Sequence, residues 1–99
     1  MLAIIAKVTL DPGAVAAYLE AAKPIIPATR NEAGCNHYAF ARCVENPGVV
    51  WIMEEWTSEQ ALQDHLRSPH ITAFLATVQP LKLLGVDVKK YQVTSVGGL

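Results

Sequence analysis

The most constraining feature of the sequence is a strict alternation over its first ten residues. Apolar side chains occupy every second position, at Leu2, Ile4, Ala6, Val8 and Leu10. The intervening positions are mixed and include Lys7. A period of two is the signature of a β-strand, and here one face of the strand is fully apolar. The pattern therefore predicts a first strand over residues 2–10.

A helix interrupted by proline follows this strand. Asp11-Pro12-Gly13 supplies a capping side chain and a proline at the first helical position, and apolar residues then recur at helical spacing. We therefore expect a helix from about residue 12 to 31. Pro24 and Pro27 each remove a backbone donor and clash with the preceding turn, so this helix should kink or break near Lys23.

The next segment predicts an antiparallel hairpin. Gly34 suits a left-handed helix cap, and residues 35–44 are predicted as the second strand, with Asn36 and Tyr38 on one face. The sequence Glu45-Asn46-Pro47-Gly48 forms a turn, and residues 49–56 return as a third strand with apolar residues on both faces.

Two helices and a last strand complete the chain. Thr57 is predicted to cap the second helix, with Gln60 completing a capping box, and His65 falls in the middle of the apolar arc of that helix. Ser68-Pro69 begins a third helix that ends at Pro80. A final strand is predicted over residues 86–96.

This order of elements predicts the fold class. Two split strand-helix-strand units give an α+β, ferredoxin-like antiparallel sheet with helices on one face. A chain of 99 residues has room for one domain, residues 1–99. The other face of the sheet would expose Ile5, Trp51 and Met53. A second copy packed across a two-fold axis would bury that face, so we expect a homodimer through the sheet faces.

Charge and composition argue against binding to nucleic acid or to a membrane. Eight Lys and Arg residues stand against nine Asp and Glu, and no basic run marks a nucleic-acid or membrane surface. The apolar N-terminus has no basic segment before it, and Lys7 interrupts it too early for a signal peptide or a membrane span. We therefore expect a cytoplasmic protein that binds neither nucleic acid nor membrane.

Spacing predicts neither a disulfide nor a metal site. Cys35 and Cys43, on one predicted strand, would lie about 26 Å apart. The chain contains no Cys-x-x-Cys and no His-x-x-x-His pattern. The spacing of five between His65 and His70 does not stack two ligands on one helical face.

Five short motifs carry a family resemblance. They are Glu32-x-Gly34-Cys35-x-x-Tyr38, Glu54-x-Trp56, Ala61-Leu62-x-x-His65, Ser68-Pro69-His70 and Phe74. In this order and spacing they resemble the antibiotic biosynthesis monooxygenase family of the dimeric α/β barrel superfamily, in particular its small quinol-monooxygenase-like members. The resemblance covers nearly the whole chain. Each motif is weak alone, and the ordered set indicates the family and the fold but not the substrate.

The resemblance implies a ferredoxin-like protomer, a dimer closed through the sheets and a hydrophobic pocket between sheet and helices. Characterised members include oxygenases that need neither metal nor flavin and act on phenols, quinols or polyketide hydroxyanthracenes. We therefore expect no cofactor, and a small aromatic molecule and O2 as partners. A haem-degrading branch carries a first-strand Asn, a Trp at the position of His65 and a third-helix His, near Leu75 here. This chain lacks all three, which disfavours haem degradation.

His65 and Glu54 are the candidate catalytic residues. An imidazole in an apolar arc needs a hydrogen-bond partner, and histidine exchanges protons near neutral pH, which suits a general base that takes a phenolic proton. A core histidine bonded to a backbone carbonyl is the alternative. Glu54 could orient His65 or bind a substrate hydroxyl, or instead form a salt bridge to Arg42 or Lys90.

The candidate substrate-binding residues are Trp56, Tyr38, Asn36, His70, Phe74 and Ile4. Trp56 could stack on a planar ring, and Tyr38 could donate a hydrogen bond to a substrate oxygen. Packing in the core is the alternative for both residues. His70 stands at a helix start as a rim or catalytic residue, whereas Phe74 and Ile4 are pocket wall or core.

These residues together predict a cofactor-independent monooxygenase that acts on a small aromatic phenol or quinol. Two other functions remain open on the same fold. One is a small-molecule binding or detoxification protein that holds a metabolite without converting it. The other is an isomerase or lyase of a small polar metabolite, which would need Asn36, Glu54, His65 and His70 to converge.

Overall fold

The structure, a computed structural model, describes residues 1–99 and contains four strands and four helices. The strands are β1 (Leu2–Thr9), β2 (Cys35–Arg42), β3 (Val49–Trp56) and β4 (Gly85–Gln92), and the helices are α1 (Val15–Ala22), α2 (Ile25–Arg30), α3 (Glu59–Leu66) and α4 (Pro69–Val78). The strands form one antiparallel sheet in the order β2-β3-β1-β4. The predicted α+β, ferredoxin-like architecture is confirmed.

The alternation of β1 decides which face of the sheet the helices cover. Leu2, Ile4, Ala6 and Val8 are all buried in the core, whereas Ile5 and Lys7 are exposed. Tyr18, Leu62, Ile71 and Phe74 from the helices join the same core. The register places Ile4 opposite Glu54 of β3 on one side and opposite Lys90 of β4 on the other.

The predicted break in the first helix is present. A short 3-10 turn (Pro12–Ala14) precedes α1, and Pro24 then stands at the N-cap of α2. Pro27 lies in the first turn of α2, where backbone N–H groups have no partner within the helix, so the missing donor costs little there.

Three predicted boundaries are wrong. Ser58, not Thr57, caps α3, because the Ser58 hydroxyl accepts from the Ala61 N–H at 3.1 Å, while the Thr57 N–H donates to the Gly34 carbonyl. Strand β2 ends at Arg42, before the turn. Strand β4 ends at Gln92 rather than residue 96, because Gln92 already pairs with Leu2 and β1 has almost no residues left to pair.

The outer face of the sheet carries no helix. Ile5 and Met53 lie opposite each other on β1 and β3, and both are exposed. Lys7 places its ammonium 5.9 Å from the ring centre of Trp51 on the same face. The predicted pairing of two copies through this face stays a prediction. None of the helices has the length and apolarity needed to cross a membrane.

Candidate functional site

A cavity of about 410 Å³ lies between the inner face of the sheet and helices α3 and α4. Nineteen residues line it and 15 of them are hydrophobic, so it favours an apolar ligand. The remaining lining residues are Glu54, Gln63, His65 and Lys90. Specific polar contacts to a ligand in this cavity can come from these four side chains and from the hydroxyls of Tyr18 and Tyr38.

His65 is the most deeply buried of these polar residues. It lies on α3 and its side chain is only 3% exposed. Its Nδ1 atom lies 2.7 Å from Oε2 of Glu32, and its ring packs 4.6 Å from the Trp56 ring and 5.4 Å from the Tyr38 ring. Because Nδ1 is engaged and Nε2 has no hydrogen bond within the protein, Nε2 is the nitrogen available to a ligand in the cavity.

Glu32 was not predicted as a site residue, although it belongs to one of the family motifs. It lies in the turn between α2 and β2, next to Gly34, whose positive φ of 88° closes that turn. The Glu32 side chain is 17% exposed, and its Oε2 atom also lies 2.8 Å from Nε2 of His70. One carboxylate oxygen therefore joins histidines from two helices.

The spacing argument against a metal site does not hold in the structure. The break at Ser68-Pro69 places His65 on α3 and His70 on α4, so the two need not share one helical face. The candidate ligand atoms of Glu32, His65 and His70 lie within 4.8 Å of one another and could hold a metal ion. A spacing rule that applies within one helix cannot predict a group of ligands that comes from three separate segments of the chain.

Glu54 lines the cavity but does not orient His65. Its Oε1 atom accepts a 2.9 Å hydrogen bond from the Trp56 indole N–H, whereas Glu32 holds His65. The alternative salt bridge to Arg42 or Lys90 is not formed either, since Lys90 pairs with Glu59. Burial raises the pKa of the Glu54 carboxyl, and the Trp56 hydrogen bond and nearby His65 oppose this only in part.

Trp56 lies behind the site rather than in it. Its side chain is fully buried and is not part of the cavity wall. Stacking of a planar ligand on this indole therefore has no support in the geometry. The Trp56 indole instead holds the Glu54 carboxyl and packs against the His65 ring.

Three predicted substrate-binding residues, Tyr38, Phe74 and Ile4, line the cavity. Burial and the neighbouring Glu54 carboxyl raise the pKa of Tyr38. Tyr18, on α1, also lines the cavity, and burial raises its pKa to about 12. Both phenols therefore stay protonated at neutral pH.

Two predicted substrate-binding residues, Asn36 and His70, lie outside the cavity wall. A β-bulge between Cys35 and His37 breaks the alternation, so Asn36 leaves the face of Tyr38, and its amide donates to the sulfur of Met1. His70 is held by Glu32 and is 23% exposed. Lys90 and Gln63 line the cavity instead. Lys90 is one strand away from Ile4, and this pairing could not be derived without the sheet register.

Comparison with known proteins gives a consistent result. The sequence profile described as antibiotic biosynthesis monooxygenase matches residues 1–77. The Escherichia coli protein named "Probable quinol monooxygenase YgiN" is 30% identical over 89 residues, which span 80% of this chain and 86% of that protein.

Solved structures agree with this match. The Mycobacterium tuberculosis protein Rv0793 is 28% identical, with a TM-score of 0.87 and 98% of each chain covered. A Deinococcus radiodurans protein proposed to be an antibiotic biosynthesis monooxygenase has a TM-score of 0.90 at 22% identity, covering 100% of this chain and 98% of its own, and supports the fold alone.

Proposed function

The chain belongs to the antibiotic biosynthesis monooxygenase family, and from this premise we propose that it is a cofactor-independent monooxygenase of a small aromatic phenol or quinol. Its relative YgiN, named as a quinol monooxygenase, motivates the substrate class. A cavity of about 410 Å³ with mostly hydrophobic walls suits one planar aromatic molecule.

The contact between Glu32 and His65 carries the proposal. With Glu32 accepting a hydrogen bond from Nδ1–H, the neutral imidazole keeps a lone pair on Nε2, and His65 lines the cavity. A carboxylate that holds one ring nitrogen fixes the tautomer and stabilises the imidazolium that forms when the other nitrogen takes a proton. His65 is thereby prepared to act as a general base toward a bound phenol.

The proposed chemistry begins when Nε2 of His65 takes a proton from a substrate hydroxyl. The resulting electron-rich anion is oxidised by O2, one oxygen atom enters the ring and the other leaves as water. For a quinol the overall balance is quinol plus O2 giving hydroxyquinone plus water, in which the substrate supplies all the electrons. The apolar walls exclude bulk water, and the protein contributes orientation and proton handling.

Glu54 is proposed as the second polar contact to the substrate. Its pKa is raised by burial, so its neutral, hydrogen-donating form persists to higher pH than in water. The Trp56 indole holds Oε1, which leaves the rest of the carboxyl group for a substrate oxygen.

Binding without conversion is the second candidate function, and the hydrophobic lining supports it equally well. An isomerase or lyase of a polar metabolite is less well supported. That function needs convergent polar groups, and Asn36 and His70 do not line the cavity.

Oxygen uptake by the purified, chelator-treated protein with reduced naphthoquinols tests the proposal. We expect uptake above the autoxidation blank, a hydroxyquinone product detected by mass spectrometry, and loss of both in His65→Ala. His37→Ala, a change at an exposed histidine on β2, is the matched control and should retain activity. Ligand-induced thermal stabilisation without product in the parent protein would instead identify a binding protein.

A further inference from the structure

We propose that Glu32, His65 and His70 form a binding site for one divalent transition-metal ion of the zinc class. The three side chains come from the α2–β2 turn, from α3 and from the start of α4. Oε2 of Glu32 lies 2.7 Å from Nδ1 of His65 and 2.8 Å from Nε2 of His70. Two imidazole nitrogens thus already point at one carboxylate oxygen.

The donor set has the chemistry that zinc requires. Two imidazole nitrogens and one carboxylate oxygen are sufficient protein ligands for a zinc site that keeps a position open for water. Metal–ligand distances of about 2.0–2.2 Å in a tetrahedron separate neighbouring donors by about 3.3–3.5 Å. To admit the ion, the Glu32 carboxylate would need to withdraw by roughly half an ångström. The two imidazole nitrogens, which lie within 4.8 Å of each other, would need to approach this same separation.

The surroundings hold these donors in place and leave a route for the ion. The His65 ring is fixed between Trp56 and Tyr38, and α4, which carries His70, is fixed at its start by the Ser68 cap. The side chains of Glu32 and His70 are 17% and 23% exposed, so the cluster can be reached from solvent on that side. A preorganised, partly open cluster loses little freedom when an ion binds.

Bound metal would change what His65 offers to the cavity. A metal on Nδ1 places the ring proton on Nε2, so Nε2 becomes a donor and no longer accepts a proton. The ion would therefore inhibit a reaction that uses His65 as a base. The binding site itself does not rest on the proposed oxygenase function, because its test measures binding rather than turnover.

Zinc binding to the chelator-stripped protein is the direct test. Isothermal titration calorimetry with Zn²⁺ should give one ion per chain, and thermal unfolding with Zn²⁺ should show an increase in Tm. Mg²⁺ prefers oxygen ligands and keeps its waters, so it should show neither binding nor an increase in Tm. Glu32→Gln and His70→Ala should each weaken Zn²⁺ binding at least tenfold. The matched control His37→Ala should bind as the parent protein does.

Cobalt spectroscopy of the parent protein keeps the test valid if a variant fails to fold. Co²⁺ at this site should show visible absorption typical of nitrogen and oxygen ligands, without a sulfur-to-metal charge-transfer band. That band would place the ion on Cys35 or Cys43, the two free thiols, and would overturn the proposal. No saturable Zn²⁺ binding, or binding unchanged in both folded variants, would overturn it as well.

Discussion

Glu32 and His65 lie 33 residues apart in sequence, yet the carboxylate of one and the imidazole of the other meet at 2.7 Å. This contact selects which ring nitrogen of His65 is left for the cavity. It also gives Glu32 the role of orienting His65, which the sequence had offered to Glu54 as one of several alternatives. In this site Glu32, from the α2–β2 turn, holds the His65 ring, and Glu54 is a separate group on the cavity wall.

Replacing Glu32 with Gln should lower kcat/KM for quinol oxidation on the order of 100-fold, because the amide removes the charge that stabilises the His65 imidazolium. Initial rates of oxygen uptake measure this effect. Glu20→Gln, which alters an exposed ion pair with Lys23 on α1, should leave the rate unchanged. An unchanged rate in a folded Glu32→Gln protein would remove Glu32 from the mechanism.

Replacing Glu54 with Gln should make stability less dependent on pH. The folded pKa of Glu54 is raised above its unfolded value, so the folded state binds more protons between these two values and stability falls as pH rises through this window. Gln keeps an acceptor for the Trp56 indole and carries no charge. The variant should therefore match the parent protein at acidic pH and exceed it above the window. Urea unfolding across pH measures this, and a pH-independent difference would contradict it.

Replacing Gly34 with Ala should destabilise the fold by more than about 1–2 kcal/mol, the usual cost of a left-handed conformation with a side chain. Gly34 has a positive φ of 88°. A steric clash adds to this cost, because an added Cβ would lie 2.6 Å from Cβ of Ala61 and 2.7 Å from Oγ1 of Thr57. Thermal unfolding measures the loss. Gly97→Ala, with no atom within 4 Å, is the control and should unfold like the parent protein.

Replacing Phe74 with Ala should destabilise the protein by about 3–5 kcal/mol, because it removes a buried aromatic ring from the core. Phe74 is buried, and its ring contacts Tyr18 and Phe40 at centroid distances of 5.4 and 6.1 Å. Leu75→Ala alters the next residue, which is exposed, and should cost far less in chemical denaturation. Equal losses in the two variants would contradict the assigned packing.

Replacing Ile5 with Lys should convert the expected homodimer to a monomer. Ile5 and Met53 face each other on the open side of the sheet, and a buried lysine there would lack a partner. Light scattering after size-exclusion chromatography measures the mass. Val44→Lys, at a fully exposed residue beyond β2, should stay dimeric. A monomeric parent protein would refute dimerisation through this face.

The sequence alone determined the features that depend only on residues close together in the chain. The alternation of β1 predicted which side chains are buried, because successive residues of a strand point to opposite faces. Pro24 predicted the break between α1 and α2, and the turn at residues 45–48 predicted the hairpin. The order of these elements was enough for the fold class, and the family motifs, Glu32 among them, were visible.

Only the tertiary structure decided which side chains meet. Glu32 and His70 are 38 residues apart, and His70 contacts the Glu32 oxygen that also contacts His65. The α2–β2 turn brings Glu32 to the junction of α3 and α4. The bulge at Asn36 and the early end of β4 likewise depend on strand partners. Local periodicity sets the face on which a residue lies. Contacts between distant segments are set by packing, register and the closing of turns, and these have no local signature in the sequence.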